Sequence, residues 1–79
     1  MILKTGNSVY EVDTDEKRFR LVGKKGEEGA SITIGRWQHF DFMTPAQAGE
    51  RVRFAWVADE SGRVARIRFI ETSPVTAVA

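Results

Sequence analysis

The run Arg51-Val52-Arg53-Phe54-Ala55-Trp56-Val57-Ala58, then Asp59-Glu60-Ser61-Gly62, then Arg63-Val64-Ala65-Arg66-Ile67-Arg68-Phe69-Ile70-Glu71-Thr72 decides how this chain is read. Two stretches rich in Val, Ile, Phe and Trp flank a short polar segment that ends in glycine, the pattern of a β-hairpin. Two registers compete. A three-residue loop that pairs Asp59 with Arg63 sets Phe54 against Arg68 and Trp56 against Arg66, mixing apolar and charged residues on one face. A four-residue loop that pairs Ala58 with Arg63 opposes Trp56 to Ala65, Phe54 to Ile67 and Val52 to Phe69. A one-residue slip moves every side chain to the other face, so keeping one face wholly apolar selects the second register. Gly62 then falls at the loop end, where positive φ is needed. The same register sets Arg53 opposite Arg68 and Ala55 opposite Arg66 on the outer face, with Arg51 and Arg63 at its ends.

Working outward, no stretch sustains apolar spacing at i, i+3, i+4 and i+7, so a long helix is not expected. A first hairpin is predicted over Ile2–Thr5 and Val9–Asp13 through Gly6-Asn7-Ser8, followed by a tight turn at Asp13–Glu16. Lys17–Val22 reads as a strand with Phe19 and Leu21 on one face and Arg18 and Arg20 on the other. Gly23–Gly29 reads as a solvated loop; it lacks the Gly-Lys-Ser/Thr ending of a phosphate-binding loop. Ser31–Ile34 and Arg36–Phe42 suggest two strands, or one strand bent at Gly35. Thr44–Gly49 fits a single helical turn, with proline near its start and glycine at its end. The uncharged tail after Pro74 is expected to add a final edge strand, or else to offer a sticky edge to another chain. The expected architecture is all-β: a small, strongly bent antiparallel sheet closing into a β-barrel of five to seven short strands, with an open two-layer sandwich as the alternative and at most one helical turn near 44–49.

With 79 residues the chain is sized for one domain over 1–79, and without cysteine it builds neither disulfides nor thiolate metal sites. Lys4 interrupts the opening Met1-Ile2-Leu3, so neither a signal peptide nor a membrane span is expected, and a cytoplasmic protein is. A formal net charge of +1 argues against obligatory nucleic-acid binding. The balance is uneven: residues 51–79 carry five arginines against Asp59, Glu60 and Glu71.

His39 and Asp41 share a face if their segment is a strand. No cysteine or elbow serine accompanies them, and they read as a surface pair without a catalytic role, so neither enzyme chemistry, a metal nor a cofactor is expected. Trp37, Phe40 and Phe42 cannot all share one face of a regular strand: either Phe40 and Phe42 are buried with Trp37 exposed, or a bulge intervenes. Trp37 beside Arg36 would make a stacking platform for a base, or a plug over the open end of a barrel. The candidate binding surface is therefore Arg36, Trp37, Arg51, Arg53, Arg63, Arg66 and Arg68. Of the core aromatics, Phe54, Trp56 and Phe69 come from the hairpin, joined by Phe19.

Asn7-Ser8-Val9-Tyr10-Glu11-Val12-Asp13, Lys17-Arg18-Phe19-Arg20, Trp37 and Thr72-Ser73-Pro74-Val75 together resemble a group of small uncharacterised proteins of actinobacteria and their phages. The resemblance implies a compact cytoplasmic β domain that acts by binding, and it supplies no catalytic residue or ligand. Two functions follow as expectations. The first is a non-catalytic module for protein–protein interaction or self-association, through the arginine face or the C-terminal edge. The second is a nucleic-acid-binding small barrel, with arginines on phosphates and Trp37 stacking a base.

Overall fold

A computed structural model describes residues 1–24, 35–59 and 65–79. The predicted loop at 25–29, the strand at 31–34, and Gly62 and Arg63 lie outside the described residues. Among those described there are eight strands: β1 (Ile2–Thr5), β2 (Ser8–Asp13), β3 (Arg18–Lys24), β4 (Gln38–His39), β5 (Phe42–Met43), β6 (Arg53–Asp59), β7 (Ala65–Glu71) and β8 (Val75–Val78). They form a five-stranded sheet in the order β4-β3-β2-β1-β8 and a three-stranded sheet in the order β5-β6-β7. The all-β, strongly bent antiparallel fold is as the sequence predicts, but the described strands number eight rather than five to seven, and they form two sheets that do not close into a barrel.

Local chemistry fixes the turns. The Thr5 hydroxyl accepts the amides of Asn7 and Ser8 at 3.3 and 3.1 Å, which closes the first hairpin. Asp13 Oδ1 accepts the Glu16 amide at 3.1 Å, and Lys17 leaves that turn with φ of 52°. β3 runs further than expected: Val9 pairs Gly23 while Tyr10 pairs Leu21, so Val22 is the extra residue of a bulge that bends the sheet.

The segment after Gly35 carries the chain between sheets. Arg18 pairs His39 in the larger sheet, and Phe42 pairs Ala55 in the smaller one. Phe40, between the two short strands, is buried, whereas Phe42 is exposed. The break between β4 and β5 shifts the alternation, so the two phenylalanines do not share a face. Residues 44–50 hold no helical turn. They run extended to an isolated bridge between Ala48 and Val75, then turn where Glu50 donates to Gln47 O at 3.0 Å, with Gly49 at φ of 85°. The tail pairs with β1, with Ile2 and Ala79 exchanging amide–carbonyl bonds of 2.7 and 2.8 Å. It is the edge strand of its own sheet, not an unpaired sticky edge.

The core lies between the sheets and comprises Leu3, Tyr10, Val12, Phe19, Leu21, Phe40, Val52, Phe54 and Val75, with Met43, Ala46, Trp56 and Ile70 packed against it.

The terminal hairpin corrects the predicted register. β6 and β7 pair Arg53 with Glu71, Phe54 with Ile70, Ala55 with Phe69, Trp56 with Arg68, Val57 with Ile67, Ala58 with Arg66 and Asp59 with Ala65. Phe69 is therefore not a core residue, and Arg53 does not share a face with Arg66 and Arg68. The cause lies at the hairpin's root. Thr72 donates its amide to Val52 O at 2.8 Å and accepts the Val52 amide on Oγ1 at 3.0 Å, both residues being buried. Opposite charges then meet at Arg53 and Glu71. Keeping one whole face apolar presumes a core as long as the hairpin, yet the far end carries exposed Arg66 and Arg68 on the core side. Burial selects the register only at the root.

Candidate functional site

Residues directly opposite on antiparallel strands share a face, as do those two apart along one strand. The outer face of the β5-β6-β7 sheet is thus built in rows: Arg53 with Glu71, then Phe42, Ala55 and Phe69, then Val57 with Ile67. Four of these are large apolar side chains in solvent: Phe42 is 58% exposed, Val57 53%, Ile67 75% and Phe69 55%. Asp41, Phe42, Ala55, Trp56, Val57 and Ile67 line a shallow depression there.

Charge frames the patch on two sides. Arg53 Nη2 lies 3.2 Å from Glu71 Oε2, and its guanidinium carbon sits 4.7 Å from the centre of the Phe69 ring. Asp41 Oδ2 accepts the Val57 amide at 2.9 Å, while Oδ1 lies 2.9 Å from His39 Nε2. The Val57 amide, and after it the His39 hydrogen bond, hold the Asp41 carboxyl below the usual carboxylate range. His39 and Asp41 are both exposed at the sheet margin. Asp41 serves as an anchor between the strap after β4 and the β6 backbone.

Of the arginines singled out in the sequence, those among the described residues do not form one surface. Arg36 is exposed beside half-buried Trp37. Trp37 is covered by arginines of β3, with the guanidinium carbons of Arg18 and Arg20 lying 4.3 and 4.6 Å from its ring centre. Those arginines are themselves paired, Arg18 with Asp13 at 3.4 Å and Arg20 with Glu11 through a 2.7 Å hydrogen bond. Arg51 reaches Thr72 O at 3.3 Å. Arg53 lies on the outer face of the small sheet, and Arg66 and Arg68 lie on its inner face beside Ala58 and Trp56. With the two sheets not closed into a barrel, Trp37 has no barrel end to plug.

Sequence reasoning missed the outer apolar rows because it assigned Ile67 and Phe69 inward. The available signal was β6 itself, whose Phe54, Trp56 and Ala58 alternate with Ala55 and Val57, leaving both faces apolar. Among the described residues no three His, Asp or Glu side chains converge as a metal cage would need, and no helix is long and apolar enough to cross a membrane. No protein-family model, curated protein or solved structure matches the chain.

Proposed function

We propose that this chain is a non-catalytic binding module, a small cytoplasmic phage or bacterial accessory protein that engages another protein surface through the outer face of the β5-β6-β7 sheet. The observation that carries the reading is the contiguous exposure of Phe42, Val57, Ile67 and Phe69 around Ala55. Their exposed fractions amount to about 400 Å² of apolar surface, in the range where a patch on a monomer is often functional. Water contact with such an area is unfavourable, and a sheet face already ordered by its ladders binds with little further loss of backbone entropy.

The nucleic-acid reading loses its main support once Arg53 is separated from Arg66 and Arg68 and Trp37 is covered by ion-paired arginines. A phosphate-binding surface needs cations gathered along one track.

The experiment is site-specific photo-crosslinking in expressing cells, with a benzophenone amino acid replacing Ile67 or, as a control, exposed Thr14. Protein adducts from position 67 and not 14, abolished by Phe69→Asp, are the expected result. Nucleic-acid adducts, or no adduct specific to 67, overturn the reading.

A further inference from the structure

We infer that the occupant of this face is a second copy of the chain, packed sheet on sheet about a twofold axis that runs parallel to β6 and β7 and between them. The inference rests on the protein-binding reading above and names its partner.

The register pairs carry it. Across β6 and β7, Arg53 stands opposite Glu71, Ala55 opposite Phe69, and Val57 opposite Ile67. A twofold along the strand direction lays β6 of one copy over β7 of the other without sliding residues along the strand. Each residue then faces the complement of its own neighbour. Arg53 lands over Glu71 of the second copy, and Glu71 over its Arg53. The small Ala55 receives the Phe69 ring, and Val57 meets Ile67. Phe42, on β5, projects past the edge strand β7 of the other copy.

The competing twofold, in the plane but across the strands, is much worse. It sets Arg53 over Val57 and Glu71 over Ile67, burying two charges against aliphatic side chains in each half of the interface. Only the first arrangement is complementary in both charge and size, and it matches the aligned packing of sheets about 10 Å apart.

Area sets the strength. The apolar patch supplies about 400 Å² per copy and the charged rim adds to it, still short of the ~800 Å² per partner of a standard interface. The dimer is accordingly reversible, and its population follows concentration.

Sedimentation velocity between about 1 µM and 1 mM tests this, a range that brackets weak reversible association. The wild-type mass is expected to rise from the 8.9 kDa monomer toward twice that value. Arg53→Glu alone sets acids over acids, Glu71→Arg alone sets bases over bases, and each is expected to stay monomeric. An equimolar mixture of the two is expected to recover a 1:1 heterodimer, because the acidic rim of one then faces the basic rim of the other. Ile67→Asp, at an exposed position, is expected to abolish association while leaving the circular dichroism spectrum unchanged. A wild-type dimer with no heterodimer in the mixture, or one that survives Ile67→Asp, overturns the proposal, as does a wild-type chain that stays monomeric. In that last case, adducts from position 67 to a different protein leave the binding reading standing, and the lack of any protein adduct removes it as well.

Discussion

Phe19 of β3 and Phe54 of β6 stack face to face, with ring centres 4.0 Å apart and planes 11° from parallel. One ring comes from each sheet and neither has solvent exposure, so this contact couples the two layers. Tyr10 and Phe40 close around it at tilted angles, with centres 5.4 to 6.4 Å away. Phe54→Ala should cost about 3–5 kcal/mol. A 79-residue domain has a total stability of only ~5–10 kcal/mol, so a third of it or more would be lost. Urea denaturation checks this: Phe54→Ala should shift the midpoint sharply or leave no folded baseline. Phe54→Leu, which keeps most of the volume, should retain a cooperative transition.

Thr72 is the one buried polar residue among those described, and its hydroxyl is fully used. Oγ1 accepts the Val52 amide at 3.0 Å and donates to Ser73 O at 2.7 Å. Thr72→Val preserves shape but strands that buried amide, at a cost of about 1–3 kcal/mol. Thermal unfolding should report a drop of at least ~4 °C. Thr72→Ser, which keeps the hydroxyl, should recover much of it.

Much of the fold was legible because short-range chemistry and alternation acted together. β1, β2 and the turn after Asp13 follow from Gly6, Asn7 and the Asp13 side chain, and the faces of β3 follow from Phe19 and Leu21 against Arg18 and Arg20. Long-range choices were not legible. Whether Ile67 faces in or out depends on where the opposite sheet ends; β6, apolar on both faces, signals a second apolar face but not which face Ile67 joins. The pairing of Trp37 with Arg18 and Arg20 joins residues from distant parts of the sequence and left no periodic trace. The arginines were therefore visible as residues but not as a surface.

Acid should loosen the strap between the sheets. The folded-state pKa of Asp41 lies below its ordinary value, chiefly because the carboxylate accepts the Val57 amide and then because of His39. A depressed carboxyl pKa contributes stability that is present above the unfolded value, near pH 3.8, and is lost as pH falls through the folded value. Asp13 behaves alike, its carboxyl held down first by the Glu16 amide. Melting temperature should therefore fall as pH drops below about 4. The Asp41→Asn variant should show a shallower acid limb than wild type.

The two isoleucines of β7 should respond differently to charge. Ile67 is the most exposed of the large apolar residues described, and Ile67→Lys should change stability by no more than about 0.5 kcal/mol. Ile70 packs against the core opposite Phe54, and Ile70→Lys should cost about 1–3 kcal/mol. Parallel chemical denaturation of the two variants compares them. Equally large losses would mean that neither face is open.

The outward turn of Ile67 and Phe69 underlies every statement about binding, and cross-strand nuclear Overhauser effects read it directly. The Thr72 amide bonds Val52 O, and the Arg53 and Ala55 carbonyls turn away from β7 to the amides of Thr44 and Asp41, so Arg53–Glu71, Ala55–Phe69 and Val57–Ile67 are the close, non-hydrogen-bonded pairs, with Cα atoms about 4.5 Å apart. Strong Hα–Hα effects are expected between Ala55 and Phe69 and between Val57 and Ile67. Effects linking Phe54 to Ile67 or Trp56 to Ala65 instead would return Ile67 and Phe69 to the core face and contradict the outward-facing site.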